Sequence, residues 1–476
     1  MLACLRQGYN YNKPREEPDV STTITPQFEE ATYKKAASRL IPFLFLCYIV
    51  AFLDRVNVGF AKLQMASDLK FSDVIYGVGA GIFFIGYFIF EVPSNVILER
   101  VGARIWIARI MITWGIISSA FMFVGDIHWG PIAAYFNWTD AQFTFYFLRF
   151  WLGVAEAGFF PGVILYLTYW FPGARRAKMV ALFMTAIGTA QLVGSPLSGG
   201  IMQFMDGVNG LRGWQWLFLL EGIPSVIIGI LVFAILPNGP KTTKWLMPEE
   251  RDLLVQRIEQ DNTIKEGLAG KHSLFGAFKD GRVWALAGVY FALATCFYAV
   301  GFWMPTIIQE LGIDKKDLLK VGLISMIPWG ASIVAMIYWG SHSDRTQERR
   351  WHCAAGMLCV MIGLLVLAVV HNSPVISIIG LTLITVGWGG CVVTFWSLPT
   401  AFLSGTAAAA GIAWINSVGN LGGYFGPDLI GTIRTHSGGA TGAAFFALAA
   451  LALVGALIIL LLPKTQAAKA MAASQT

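Results

Sequence analysis

Apolar runs of about 20 residues recur from Arg39 to Pro463, separated by shorter polar segments. A helix rises 1.5 Å per residue, so each run is long enough to cross about 30 Å of hydrocarbon. The pattern predicts twelve membrane-spanning helices, at residues 39–62, 74–98, 105–125, 141–169, 177–204, 214–236, 282–309, 318–340, 353–371, 374–399, 408–433 and 439–462. Because only helices and closed barrels satisfy their backbone in lipid, and the runs are too long for barrel strands, we predict an all-α membrane protein.

Three polar segments set the predicted domain boundaries. Residues 1–38 combine prolines with mixed charge and predict a disordered cytoplasmic tail. The longest interruption, residues 238–280, contains a charged helical stretch and predicts a cytoplasmic linker. It separates a six-helix bundle at residues 39–237 from a second bundle at residues 281–463, and residues 464–476 form a cytoplasmic tail.

The distribution of lysine and arginine predicts the orientation in the membrane. Of the 34 such residues, three lie within spans; with both termini inside, 24 fall on the cytoplasmic side and seven outside. Basic residues accumulate in cytoplasmic loops, so both termini are predicted to be cytoplasmic. An even number of spans requires both termini to lie on the same side of the membrane, which agrees with this orientation.

Composition excludes several classes of protein. The chain is 56% hydrophobic and 13% charged, whereas soluble domains are about 25% charged. The net charge of +6 arises from short loops between spans, so no nucleic-acid partner is expected. The six scattered cysteines predict packing roles. The sequence contains no metalloprotease or nucleotide-binding motif, so we expect neither an enzyme nor a cofactor.

Two loops at equivalent positions resemble each other. After span 2 the chain carries Glu99, Arg100 and, four residues later, Arg104; after span 8 it carries Asp344 and Arg345, again with an arginine four residues on. Repetition at the same loop of each half implies two related, pseudo-symmetric bundles. We expect these five residues to act as gating latches, pairing across the bundles in one conformation and separating in another.

Four of the charged residues inside predicted spans are candidates for helix centres: Asp54, Arg55, Arg149 and Glu156. Each costs about 2.5–3.5 kcal/mol at a helix centre, so they must face each other or a wet cavity. Arg149 and Glu156 are two turns apart on one helix face, whereas Asp54 and Arg55 diverge by about 100°. Purely structural ion pairs are one reading. The other is that protonating an acid leaves an arginine free for an anion, so that proton and anion favour each other's binding.

Several motifs carry a family resemblance. The two loops are similar to the G-x-x-x-D-R-x-G-R signature of the major facilitator superfamily, although the first has Asn95 for glycine and Glu99 for aspartate. Residues 51–57, 149–161 and 411–427 resemble its anion:cation symporter family. Within that family the chain looks most like bacterial permeases for tartrate, phthalate, nicotinate and hydroxyphenylacetate.

The resemblance implies the function and the roles of single residues. It implies proton-coupled symport of a small organic anion by alternating access, by a monomer in the inner (plasma) membrane of a bacterium. An exchanger or a sodium-coupled carrier is the alternative, and a membrane-embedded enzyme or sensor is a remote one. Family members use the acids matching Asp54 and Glu156 for protons and the arginines matching Arg55 and Arg149 for the substrate carboxylate. Tyr87 and Asn420 match substrate-facing positions, with interhelical hydrogen bonding as the alternative.

Other polar and aromatic residues refine this picture. Sugar-acid members carry tyrosine and glutamine where this chain has Phe52 and Ile187, which indicates a smaller or less polar substrate than a hexonate. Glu91 and Arg109 are expected to pair structurally. Candidates to line the cavity in the second half, with packing as the alternative, are Trp388, Trp396, Ser397 and Asn416.

Overall fold

The computed structural model describes residues 25–268, 279–370, 373–400 and 405–462, and within these ranges the chain is all-helical. Eleven helical segments there are long and apolar enough to cross a membrane. Side chains such as Ile230, Val334 and Ile337 are more than half exposed on the outside of these helices. An apolar outer surface is what a bilayer requires, so the predicted all-α membrane fold is confirmed.

The first half contains nine α-helices that build the first six spans. They are α1 (Pro26–Val56), α2 (Val58–Asp68), α3 (Asp73–Val101), α4 (Ala103–Ala120), α5 (Pro131–Tyr135), α6 (Asp140–Glu156), α7 (Phe159–Thr168), α8 (Gly173–Phe204) and α9 (Gly213–Ile235). Helix α10 (Pro248–Leu268) follows as the charged helix of the linker, which confirms the helical stretch expected there.

Eight α-helices lie in the described residues of the second half, which are 281–370, 373–400 and 405–462. They are α11 (Gly281–Gln309), α12 (Leu318–Thr346), α13 (Arg350–Val369), α14 (Pro374–Phe395), α15 (Ser397–Thr400), α16 (Gly405–Asn420), α17 (Gly422–His436) and α18 (Gly442–Leu461). The span predicted at 408–433 is divided at Leu421 into α16 and α17, and neither part alone is long enough to cross the membrane.

Two other predicted spans are interrupted close to a buried charged residue. The first span breaks at Asn57, between α1 and α2, and the fourth breaks between α6 and α7 at Ala157 and Gly158. Gly158 has φ +86°, a conformation that glycine adopts at little cost. Such breaks are tolerated at membrane depth where protein or a cavity surrounds them, and both adjoin the buried charges Arg55 and Glu156.

The N-terminal boundary differs from the prediction. Helix α1 begins at Pro26, where Thr25 Oγ1 accepts a hydrogen bond from the Phe28 amide at 3.2 Å. Its first turns are tied to α10 by ion pairs, including Arg257 with Glu29 at 2.7 Å. These contacts give the polar side chains of the segment partners. The segment is therefore helical up to residue 38, although its polarity predicted disorder. Residues 1–24 and the predicted tail 464–476 lie outside the described residues.

The two halves meet along two related interfaces. Helix α3 packs against α17, and α8 packs against α12, so each interface joins the second span of one half to the fifth span of the other. We call the end of the helices that carries α10 the linker end. At the opposite end the backbones nearly touch: a Cβ at Gly199 would lie 2.3 Å from Leu318 O. The pairing of equivalent spans is what two pseudo-symmetric bundles predict.

Candidate functional site

A cavity lies between the two halves near the middle of the spans. Its walls are mainly aromatic: the first half contributes Tyr48, Phe52, Tyr87 and Phe160, and the second contributes Tyr290, Phe297, Tyr298, Trp388 and Trp396. Its cation and amides are Arg55, Asn416 and Asn420, with Ile187 among the remaining apolar liners. Tyr87, Asn420, Phe52 and Ile187 therefore lie where the sequence pattern predicts, and Trp388, Trp396 and Asn416 join them.

Arg55 is the central charged group of this cavity. Its Nη2 donates to Glu156 on α6, and its Nη1 donates to the Tyr298 hydroxyl of the second half at 3.0 Å. Its Nε has no acceptor among the described residues although it is buried. The guanidinium carbon lies 5.1 Å from the Phe52 ring and 5.5 Å from the Tyr87 ring. Arg55 is thus held in an aromatic cage, and its Nε donor is not used by the described residues.

Arg149 does not line the cavity in this conformation. It is 1% exposed, and its Nε and Nη2 donate to the backbone carbonyls of Gly79 and Ala80 at 3.1 and 2.8 Å. Its guanidinium carbon lies 5.1 Å from the Phe83 ring, which Arg55 approaches to 5.3 Å. Glu156, two turns along the same helix, pairs with Arg55, so these two of the four predicted charges meet while Arg149 is bound to the main chain.

This arrangement leads to a prediction for Arg149→Lys. Lysine keeps the charge but has one compact donor group in place of the planar fork, so it cannot reproduce both carbonyl contacts. Hydrogen bonds from charged groups contribute about 1.5–3 kcal/mol each, so the melting midpoint should fall by about 5 °C. The variant should bind substrate within threefold of wild type. A tenfold affinity loss with an unchanged midpoint would instead place Arg149 on the substrate. Fluorescence melting and calorimetry of the purified variant provide both quantities.

Asp54 points away from the cavity into the first half. Its carboxylate accepts from Trp114 Nε1 at 3.0 Å, Ser118 Oγ at 2.7 Å and Ser225 Oγ at 2.5 Å. Within the described part of the chain no lysine or arginine pairs with it. Asp54 and Arg55 point in different directions, as their helical spacing predicts. The four charged residues do not form one cluster. Sequence reasoning missed the three neutral donors, which lie in spans 3 and 6 and satisfy the carboxylate without a cation.

Glu91 forms a polar contact between the halves. Its two carboxylate oxygens accept from Asn416 Nδ2 and Ser417 Oγ, each at 2.8 Å. The expected pair with Arg109 is therefore wrong: that guanidinium stacks 3.9 Å from the Trp106 ring centroid. Glu91 is four residues after Tyr87 and shares its helix face. This spacing in the sequence could have indicated that both residues face the other half.

Four charges close the interface at the end opposite the linker. Lys62 Nζ lies 2.9 Å from Asp73, Arg434 Nε lies 2.9 Å from the same carboxylate, and Arg434 Nη2 lies 2.6 Å from Glu310. Lys62 and Asp73 belong to the first half, and Glu310 and Arg434 to the second. Lys62 Nζ also lies 3.6 Å from the ring centroid of Trp303. We call these four charged residues the outer cluster; the sequence analysis counted its two cations only as loop charges.

The five predicted gating residues lie at the linker end. Arg104 donates to the Phe233 carbonyl, and Asp344 pairs with Arg349 of its own loop at 2.5 Å. Glu99 and Arg100 lie in the last turn of α3, and Arg345 lies in the last turn of α12. Within the described ranges none of these five side chains pairs with the other half. This conformation therefore shows the loops without the latch contacts expected of them.

Comparison with known proteins identifies the family. The model of the Major Facilitator Superfamily matches residues 44–427. The chain belongs to this superfamily. It is 47% identical over 442 residues to an Agrobacterium vitis protein named "Putative tartrate transporter", covering 93% of each chain. It is 44% identical over 446 residues to "Putative metabolite transport protein NicT" of Pseudomonas putida, covering 93% of this chain and 98% of that one.

A solved structure of the same superfamily has the same fold. The partially occluded inward-open conformation of the xylose transporter XylE from Escherichia coli matches with a TM-score of 0.69 and 15% identity, over 91% of this chain and 99% of that one. The facilitator described here is therefore a multi-pass membrane transporter of small molecules with bacterial relatives. The fold and family predicted from the sequence are confirmed.

Proposed function

We propose that this facilitator is a proton-coupled symporter that moves a small organic carboxylate anion by alternating access. The single observation that carries the proposal is the pairing of Arg55, which lines the cavity, with the buried carboxylate of Glu156. The arginine has a spare Nε donor, and its anionic partner is a group that a proton can neutralise. The name of the 47% identical relative refers to tartrate, which is a carboxylate anion.

The coupling follows from competition for one guanidinium. While Glu156 is ionised, it occupies one branch of Arg55 and cancels its charge. A proton on Glu156 removes that charge, and a substrate carboxylate then takes two parallel N–H bonds from the guanidinium. Anion and proton each favour the other's binding, and their coupling free energy is reciprocal. A carrier in which neither binds well alone transports both in the same direction.

Asp54 is the second proposed proton-coupling residue; it acts indirectly, by setting the position of Arg55, while the transported proton is bound at Glu156. It is the residue before Arg55, and its three hydrogen bonds join α1 to α4 and α9. A proton on Asp54 replaces an acceptor with a donor and weakens those bonds, because the hydroxyl and indole groups then face a neutral acid. The position of α1, and with it that of Arg55, becomes dependent on protonation.

Alternating access requires the two ends to open in turn, and the outer cluster supports this role. Its ion pair between Arg434 and Asp73 crosses between the halves, and Tyr76 adds a hydrogen bond to the Phe302 carbonyl at 2.8 Å. We place this end outside, and both termini and the linker in the cytoplasm, because basic residues accumulate at the linker end. We expect the protein to act as a monomer in a bacterial inner membrane. Opening outward then breaks the outer cluster and brings the loops of Glu99 and Asp344 together as latches.

Neutralising one acid of the outer cluster should favour the outward-open state. Asp73 accepts from both Lys62 and Arg434, so Asp73→Asn removes a cross-half anion. A cysteine placed at Ala294 on the cavity wall should react with an impermeant maleimide from outside at least fivefold faster in this variant. Asp68→Asn is the matched control, because Asp68 pairs with Arg212 of its own half at the same end. Equal acceleration by both variants, or none by either, contradicts the role of the cluster.

The transport mode is tested in proteoliposomes with a weakly buffered exterior. Adding a transported carboxylate outside should make the external medium more alkaline within seconds, in the absence of sodium and of internal substrate. Dependence of uptake on internal anion would identify an exchanger, and dependence on sodium would identify a sodium-coupled carrier. Either result, without the pH change, contradicts proton symport.

A further inference from the structure

We infer that the substrate is a planar aromatic monocarboxylate rather than a hydroxylated dicarboxylate such as tartrate. The inference rests on the proposed carboxylate transport and specifies which carboxylate the cavity fits. Its basis is the distribution of rings and charges over the two walls. One wall holds the only lysine or arginine that lines the cavity within the described residues, and the opposite wall is built from stacked rings.

The ring wall belongs to the second half. Phe297 and Trp388 stack with centroids 4.1 Å apart and planes 19° apart, and Tyr290 meets Trp396 at 4.9 Å and 62°. All four line the cavity, and they belong to the half that does not contain Arg55. Aromatic groups pair favourably in offset-stacked or edge-to-face geometry. A ligand whose carboxylate reaches Arg55 therefore places the rest of its body against ring faces and edges.

The charges at the cavity balance a single negative charge. Arg55 pairs with Glu156, and cavity-lining Asn416 donates to Glu91. Arg149 lies behind Phe83 with two donor groups on backbone carbonyls. Asp54 lies on the far side of α1 with three neutral donors. The two arginines and two ionised glutamates beside the cavity sum to zero, so one proton on Glu156 leaves one positive charge among them. A monoanion neutralises it, whereas a dianion leaves a buried uncompensated charge, which is strongly unfavourable.

Hydrogen-bonding capacity also favours the aromatic acid. Tartrate brings a second carboxylate and two hydroxyls, each of which needs partners once it leaves water. Two wall positions, Phe52 on the arginine's own helix and Ile187 on α8, are instead apolar. Trp396 Nε1 is buried and has no acceptor among the described residues. This unpaired indole N–H on the ring wall suits a ring nitrogen or a phenolic oxygen.

Ligands matched in charge and size test the inference on purified protein. Calorimetry at one pH should give benzoate and nicotinate at least tenfold tighter binding than tartrate or phthalate, both of which are dianions. Cyclohexanecarboxylate, which has the charge of benzoate without its flat π-system, should bind about three- to tenfold more weakly than benzoate. Tartrate binding as tight as that of benzoate would overturn the inference while leaving carboxylate transport intact. Binding of none of the five acids would overturn both.

A variant of the ring wall separates stacking from general hydrophobicity. Trp388→Leu should reduce the preference for benzoate over cyclohexanecarboxylate to less than twofold. Phe446→Leu is the control, because that ring is 49% exposed on α18, away from the cavity, and it should leave the preference unchanged. If Trp388→Leu fails to fold, Phe297→Leu removes the other ring of the stacked pair. An unchanged preference in a folded wall variant contradicts the ring-wall assignment.

Discussion

Arg55→Lys should weaken substrate binding by roughly ten- to more than a hundredfold, with little loss of folded protein. The guanidinium reaches Tyr298, Glu156 and the substrate position at once because its donors form a planar fork. Lysine retains the charge on a single nitrogen, so two of these contacts are lost. Charge-assisted hydrogen bonds of this kind contribute about 1.5–3 kcal/mol. Calorimetric titration of the purified variant with its best carboxylate ligand measures the change.

Arg39→Lys is the matched control for this substitution. Arg39 lies on the same helix at the linker end, with its guanidinium carbon 6.0 Å from the Trp245 ring centroid and no place on the cavity wall. The affinity of the Arg39→Lys variant for the carboxylate ligand should stay within twofold of wild type. Wild-type affinity in Arg55→Lys would remove this arginine from the substrate site, as would an equal loss in the control.

Glu156→Gln should abolish accumulation against a gradient while preserving exchange. Glutamine keeps the shape and leaves Arg55 without an anionic partner at every pH, as protonation does. Under a gradient of one pH unit, a one-proton electroneutral symporter accumulates substrate about tenfold at equilibrium; the variant should reach a ratio of about one. Counterflow of labelled substrate should continue, because it needs binding and reorientation without net proton movement.

Glu249→Gln, in the exposed first turn of the linker helix, is the control and should accumulate substrate like wild type. Tenfold accumulation by Glu156→Gln would show that the coupling proton resides elsewhere. Asp54 would then be the next carboxyl group to test, since its hydrogen bonds connect α1 to α4 and α9.

Sequence patterns predicted the fold well because lipid imposes a simple rule. Every apolar run of sufficient length must be helical, so the spans were found without knowledge of their contacts. The helix breaks at Asn57 and Leu421 were not predicted, because they depend on close approach to other helices. Gly422 illustrates this: a Cβ there would lie 2.5 Å from Thr295 Oγ1.

The site was predicted only in part, for the same reason. Periodicity showed that Asp54 and Arg55 diverge, but not which one faces the cavity. The backbone carbonyls that bind Arg149 leave no trace in side-chain patterns, so the sequence did not show that this arginine contacts the main chain rather than the cavity. The outer cluster joins residues up to 372 positions apart, Lys62 and Arg434, and a single sequence does not show that they meet.

Proton uptake on substrate binding tests the central claim, that a carboxylate and a proton are bound together through Arg55 and Glu156. Binding enthalpies of the purified protein are measured at one pH in two buffers with different ionisation enthalpies, and their difference gives the number of protons taken up. Near neutral pH the wild type should take up close to one proton per anion, and Glu156→Gln should take up none while still binding. Anion binding by the wild type with no proton uptake across the pH range of transport would contradict the account.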